Sequence, residues 1–477
     1  MKIVTILAAI GPAVLLAACD MAPAYHPPTV EVPAKYKENS MFAPAAPADT
    51  APRGPWWESF HDKELDRLEV LVETQNPDLA AALAAYDEAR ALTDRAASLL
   101  LPHVSGDGHF LANKQSANRP LRSPNQPTFF GDNQLDVQST FEIDFWGRIR
   151  DLVAANAADQ KASEADFAAV RLSLQGQLAR TYLNLRQADL EEKLLTDTVA
   201  AYRDALALTQ HRLEGKIASP ADVSRAEAQL ATAQAELTDL HGRRALLEHA
   251  IAVLTGQPAS VFSIKEAPVK VALPSIPPNV PSTLLLRRPD IAAAERRVAA
   301  ANELIGVARA AFFPRFTLNL LIGNQDTTLN LLAIKNLMWS VGPGVSLPLF
   351  DAGLRRAELA AAEAEDERLA SIYRGLVLRA IQEVEDNLAL RKWLKQEAAE
   401  VDRAVAANQK TLDVSLSLYR EGAVTYLEVV VAQTALLQSQ SQALFLRTQR
   451  LQAGLGLILA LGGGWSVYQI ANLDSPG

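Results

Sequence analysis

The stretch Gln134-Leu135-Asp136-Val137-Gln138-Ser139-Thr140-Phe141-Glu142-Ile143-Asp144-Phe145 alternates at every step. Leu135, Val137, Ser139, Phe141, Ile143 and Phe145 fall on one side of an extended chain, and the intervening polar residues fall on the other. A period of two marks a strand with one apolar and one polar face. Two arrangements satisfy it: a half-buried soluble sheet, or a membrane wall of strands of roughly 9–11 residues with a lipid side and a watery side. Three further runs alternate. Val104 to Asn113 does so more weakly, with Asp107 and His109 on its polar side; Phe316, Leu318, Leu320 and Ile322 alternate with Arg315, Thr317 and Asn319; Trp339, Val341, Val345 and Leu347 alternate with Ser340, Gly342 and Ser346. The expected strands are about 103–115, 134–146, 315–324 and 337–349, joined in pairs by polar segments at about Gln115–Asn133 and Asn324–Asn336.

Outward from these strands lie two very long helical stretches. Arg148 to Leu213 contains no proline and one glycine, Gly176. As one helix it would run ~100 Å at 1.5 Å per residue. Leu195, Val199, Tyr202, Leu206, Thr209 and Leu213 form a coiled-coil-like seam, and Phe167, Val170, Leu174, Leu178, Tyr182 and Leu185 form a second stripe. Leu354 to Tyr419 repeats the pattern, again without proline. Helices this long suit a bundle or a tube better than a compact globule. Each is expected to stop at a glycine, Gly215 after Arg212-Leu213-Glu214 and Gly422 after Tyr419-Arg420-Glu421. A return helix then begins, with Ser219-Pro220 as a cap and first position.

The chain is duplicated. Pro77-Asp78-Leu79 recurs as Pro289-Asp290-Ile291, and Pro102 recurs as Pro314, at an offset of 212. Gly147 matches Gly353, Ala226 matches Ala432, Leu230 matches Leu436 and Gly256 matches Gly462, at an offset of 206. The difference belongs in the strand-bearing region, where variable loops are expected. The predicted division is a first repeat over 56–286 (long helix 148–213, tip 214–220, return helix 221–257, belt 258–286) and a second over 287–477 (353–420, 421–426, 427–461 and 462–477).

The N-terminus reads as a secretory signal over 1–18: Lys2, an apolar run Ile3–Leu16, then Leu16-Ala17-Ala18-Cys19. Cys19 is the sole cysteine, so no internal disulfide framework exists, and it reads as a lipidated first residue. A proline-rich strap over 19–55 follows, with Pro23, Pro27, Pro28, Pro33, Pro44, Pro47, Pro52 and Pro55. After Cys19 no apolar run is long enough for a helical membrane span. The net charge of −9, without a basic stripe, argues against nucleic acid as a partner.

No catalytic constellation is present in the sequence. The seven histidines lack metal-ligand spacing, and no cofactor is implied. Gly454, Gly456 and Gly462-Gly463-Gly464 follow a helix and lack the Lys-Ser/Thr ending of a phosphate loop.

Several short motifs, in order, carry a resemblance: Trp56-Trp57 with Phe60 and Asp62; Asn76 with Asp78-Leu79; Glu142-Ile143-Asp144-Phe145-Trp146-Gly147-Arg148; Arg287-Arg288-Pro289-Asp290-Ile291; Ala294-Glu295; Ala310-Ala311-Phe312-Phe313-Pro314; and Leu347-Pro348-Leu349-Phe350-Asp351. The chain resembles the TolC-like outer membrane factor family, of the NodT lipoprotein type, over essentially its whole mature length. The resemblance implies a mainly α fold with a membrane β-barrel. Four strands and long antiparallel helices per protomer would give a homotrimer with a 12-stranded β-barrel on a 12-helix α-barrel, belted by 62–75, 257–286 and 462–477. It implies a passive, non-enzymatic exit duct in the outer membrane, anchored by Cys19, reaching into the periplasm and serving a tripartite efflux or secretion pump. Its partners would be a periplasmic adaptor and an inner-membrane pump of the RND type. Asp20 runs against outer-membrane sorting as enteric bacteria read it.

The resemblance also implies roles at the tip. Arg212, Glu214, Gly215, Arg420, Glu421 and Gly422 are adaptor-docking candidates, with plain helix capping as the alternative. The family's gate motif, usually Leu-Asp-Ala-Gln-Arg, here reads Val430-Val431-Ala432-Gln433-Thr434. Its aspartate falls on Val431 and its arginine on Thr434, so the expected constriction is more apolar. Val431 would be its core, or else pack between helices, and Glu428 and Asp222 could supply charge. The rival readings are a pore-less periplasmic adaptor, which needs one hairpin flanked by soluble β domains, and a lipid-anchored enzyme, which needs a polar pocket.

Overall fold

The structure is a computed structural model that describes residues 21–33, 36–38, 55–116, 118–120, 123, 125–274 and 288–463. The first repeat contains helix α1 (Lys63–Gln75), α2 (Pro77–Ser98), strands β1 (His103–Lys114) and β2 (Phe129–Ile143), the long helix α3 (Arg148–Glu214) and the return helix α4 (Pro220–Leu254). The second contains α5 (Pro289–Ala310), β3 (Arg315–Asp326), β4 (Leu337–Ser346), α6 (Leu354–Glu421) and α7 (Tyr426–Ala460). The helical lengths pair closely: 22 and 22 residues for α2 and α5, 67 and 68 for α3 and α6, 35 and 35 for α4 and α7. β2 starts and ends earlier than alternation alone places it. Its pairing extends back to Phe129 opposite Lys114, and at Asp144 the chain leaves the sheet to cap a helix. β4 likewise ends at Ser346, before Leu347-Pro348.

The chain divides into two compact units. One comprises the described residues of 21–29, 85–163 and 293–374. Its sheet is an antiparallel meander in the order β1-β2-β3-β4. Both strand-to-helix turns obey one local rule: a glycine takes the left-handed conformation and an upstream aspartate accepts from the first free amides. In the first turn Gly147 has φ 79° and Asp144 accepts from the amides of Ile149 and Arg150 at 3.2 and 2.9 Å. In the second Gly353 has φ 93° and Asp351 accepts from the Gly353 amide at 3.0 Å. Trp146 stacks on Phe313 at 4.7 Å and donates from its indole to the Pro314 carbonyl at 2.8 Å, which ties together two of the motifs quoted above. Part of the strap lies on α5. Tyr25 donates to Glu295 at 2.6 Å, Asn302 donates to the Pro23 carbonyl at 2.8 Å, and Gly306 leaves room for the Ala22 backbone.

The other unit comprises the described residues of 30–84, 164–292 and 375–463. Trp57, Phe60 and the α1 residues Leu65, Leu68 and Val72 pack on Leu178 and Tyr182 of α3, Ile251 of α4 and Leu455 of α7. A buried ionic cluster grips the chain that follows α4. Asp189 accepts from Arg186 at 2.7 Å and Arg244 at 2.8 Å, and these groups bind the backbone of Ile264, Lys265 and Ala267. Because Asp189 is buried between two arginines, removing it would leave uncompensated charge, a loss of about 3–5 kcal/mol. The second part of the strap seats Tyr36 among Val384, Leu388 and Leu457, while Glu385 accepts from the amides of Lys37 and Glu38 at 2.6 and 3.1 Å. The return helices end alike. Asn76 donates to the Leu254 carbonyl and Arg288 to the Ala460 carbonyl, so the motif before each short helix satisfies an orphan carbonyl.

Within α1, Glu69 is fully buried and neither carboxylate oxygen has a hydrogen-bond partner among the described residues. Burial, with Glu73 and Asp66 adding, pushes its carboxyl well above the usual carboxylate range. The folded protein therefore holds a proton that the unfolded chain releases once pH passes its ordinary value of 4.5, so stability falls as pH rises from there toward the folded-state pKa. Glu69→Gln is expected to flatten this decline, read as the difference between wild-type and variant melting temperatures from pH 5 to pH 8.

Candidate functional site: the sheet faces and the helical tip

The register assigns the faces of the sheet. Val137 pairs with Gly106 and Ile322, and Ile322 pairs with Trp339. Ser139 pairs with Leu320, and Leu320 pairs with Val341. One face therefore carries Phe110, Leu135, Val137, Leu318, Leu320, Ile322, Trp339 and Val341, all exposed, with Trp339 at 68%. The other carries Asp107, His109, Gln134, Asp136, Gln138, Thr140, Asn319 and Ser340. Its polar groups bond to one another: Gln138 donates to Asp107, and Gln134 donates to Asp136 at 2.7 Å. A half-buried soluble sheet would cover the apolar face, and nothing among the described residues does. Among the described residues, β1 and β4 each pair on one side only.

The tip lies wholly in the second unit. Arg212 donates to the Arg420 carbonyl at 3.0 Å and its guanidinium lies 4.7 Å from the Tyr419 ring centre. One hairpin thereby clasps the other. Beneath it Ala205, Ala226, Tyr419, Tyr426 and Val429 form a small core, and Tyr419 donates to Thr209 at 3.3 Å. Burial pushes the Tyr426 phenol up to about 12. This aromatic staple was not singled out from sequence; the shared signal was a tyrosine at the end of one helix and another at the start of the next.

The six docking candidates thus divide. Glu214, Gly215, Arg420 and Glu421 are exposed, whereas Arg212 holds the two hairpins together and Gly422 shapes the turn. The two glycines are not equivalent, contrary to expectation. Gly422 is left-handed at φ 81°, but in the first hairpin Lys216 takes that role at φ 58° and Gly215 does not. The amides of Ile217 and Lys216 bond back to the carbonyls of Arg212 and Leu213 at 2.8 and 2.9 Å, which closes the helix one residue later than the glycine suggests.

Among the gate candidates, Val431 is 59% exposed and is not buried between helices of its own chain. Glu428 and Thr434 are exposed too, and Thr434 donates to the Val430 carbonyl at 2.8 Å. Asp222 is engaged elsewhere: it completes a capping box with Ser219 and pairs with Arg225 at 3.0 Å. Cys19 and Asp20, and the parts of the expected belt at 275–286 and 464–477, lie outside the described residues. Among the described residues no group of His, Cys, Asp or Glu could hold a metal ion, and no helix is long and apolar enough to cross a membrane.

Gly422→Ala forces a side chain into the left-handed region and is expected to cost ~1 kcal/mol locally. At Gly215 an added Cβ meets only ordinary contacts of 3.6–3.7 Å. Hydrogen exchange of tip amides should therefore quicken in Gly422→Ala and stay unchanged in Gly215→Ala.

A family profile described as outer membrane efflux protein matches this chain twice, over residues 70–257 and 280–463. The chain is similar to the probable outer membrane lipoprotein SilC of Salmonella typhimurium, 30% identical over 462 residues that cover 94% of this chain and 97% of SilC. It is similar to the pyoverdine export outer membrane protein OpmQ of Pseudomonas putida, 31% identical over 447 residues and 91% of each chain. Among solved structures it matches CusC, studied for its folding and transmembrane channel formation, with a TM-score of 0.83, 27% identity and coverage of 93% of this chain and all of that one. The expected resemblance and fold class are borne out, and the adaptor alternative fails, since two repeats each bring a strand pair and a helical hairpin. The chain belongs to the outer membrane efflux protein family.

Proposed function

We propose that this chain is one protomer of a trimeric outer-membrane exit duct for a tripartite efflux pump. The observation that carries it is the sheet with an exposed apolar face, a polar face and two open edges. An open edge in lipid leaves backbone groups unpaired, and four strands fall short of the roughly eight in the smallest membrane barrels. Three copies supply twelve. Strands of 10–15 residues are long enough to cross the hydrocarbon at a tilt. The polar face then lines the lumen. Cys19 carries the lipid that anchors the N-terminus in the outer membrane, and the strap contacts at Tyr25 and Tyr36 hold that anchor to the body.

At the tip, Glu214, Gly215, Arg420 and Glu421 meet the adaptor, while Arg212 and Gly422 keep the paired hairpins in shape. Val431, with Glu428 a turn away, forms the constriction. The adaptor links the duct to an RND-type pump, which supplies the energy. OpmQ is named for pyoverdine export and CusC for cation efflux, which supports a passive wall with cargo chosen elsewhere in the pump.

The mass of the detergent-solubilised mature protein, corrected for bound detergent, should equal three chains, and the same preparation should conduct ions across a planar bilayer. A stable monomer would overturn the reading. Val431→Asp is expected to raise uptake of large antibiotics by leak; unchanged uptake would remove Val431 from the gate.

A further inference from the structure

We infer that α4 of one copy lays Leu246 and Val253 against α6 of a second copy, with Leu246 on Leu390 and Val253 on Gln382. The inference rests on the trimeric reading above and adds to it a surface and a register. It comes from the duplication. Inside the chain, α7 packs on α3 through Gln452, which donates to Asn184 at 2.5 Å, and through Leu459, which fills the space over Gly176. Each return helix also packs on its own long helix, α4 through Arg244 on Asp189 and α7 through Gly456 against Asn387. At the level of these contacts the helices therefore follow one another as α4, α3, α7, α6, whereas toward the tip α4 also meets α7 through Ala226, Tyr426 and Val429.

At the repeat offset of 206, Gln452 corresponds to Leu246, Leu459 to Val253, Asn184 to Leu390 and Gly176 to Gln382. The junction that α7 makes with α3 thus has a counterpart between α4 and α6, and one chain cannot form it, because these helices stand at opposite ends of the order. Its residues are the ones left open. Leu246 and Val253 are each 68% exposed, and Leu390 is 48% exposed. Leu378, the counterpart of Leu172, is 58% exposed; the turn after α4 would cover it as Gly463 covers Leu172. The polar pair Gln452–Asn184 becomes an apolar pair, Leu246–Leu390, as suits a junction formed by association, where apolar burial drives contact. A second copy continues the order α4, α3, α7, α6 without a break.

The test uses full-length protein in native outer membranes and a short bis-maleimide. Val253→Cys with Gln382→Cys, and separately Leu246→Cys with Leu390→Cys, should link into species of two and three chains. The single variants, which retain Cys19, and the out-of-register pair Leu246→Cys with Leu378→Cys should not. If the untreated variants have the mass of three chains but neither in-register pair links, or the shifted pair links equally well, this contact is wrong while the duct stands. A monomeric mass in the wild type would overturn both.

Discussion

A backbone amide in hydrocarbon has no water to turn to, and that fact governs the sheet on which the rest of this structure depends. Among the described residues β1 and β4 each present an unpaired edge, and the face between them is apolar from Phe110 across to Trp339. In water such a sheet would be an aggregation hazard. Closed on copies of itself it satisfies every strand, and its polar face becomes an aqueous lining. The hydrogen bonds that Gln134 and Gln138 give to Asp136 and Asp107 show that this lining is organised within one protomer.

Duplication lets one set of local rules serve twice. Asp144 with Gly147 and Asp351 with Gly353 make the same strand-to-helix turn, and Asn76 and Arg288 close the same helix end. The copies then diverge where their surroundings differ. In the first, α1 and the chain at Ile264 pack on the long hairpin, gripped by Asp189 and its two arginines. In the second, Lys392 and Lys395 stand at the positions of Arg186 and Asp189, and the strap residue Tyr36 packs there instead. The N-terminal segment is thus part of the second repeat's core.

The tip combines rigidity with access. Arg212, bonded to one hairpin and stacked on Tyr419, and the Tyr419–Tyr426 pair at 5.4 Å set the hairpins against each other. Around that staple Glu214, Glu421, Glu428 and Val431 remain open. On the proposed reading that these groups meet an adaptor, fixed neighbours spare the binding energy that ordering them would consume.

Much of this was legible in the sequence, because period and punctuation are local properties. The alternation through Val137, the proline-free run after Arg148 and the offsets between the repeats determined the strands, the long helices and the duplication. The place of Gly422 followed from the same rules. What sequence left open was what only tertiary packing decides. Alternation at Leu320 cannot say whether a neighbour covers it; the register leaves it exposed. Gly215 and Gly422 look alike in sequence, yet the left-handed residue of the first hairpin is Lys216, since the turn closes on carbonyls that the hairpin geometry selects. Arg212 read as a docking or capping residue, and Tyr36 as part of an extended strap. Their partners, Arg420 for the one and Val384 with Leu388 for the other, lie hundreds of residues away, and contacts at that separation leave no periodic trace in the chain.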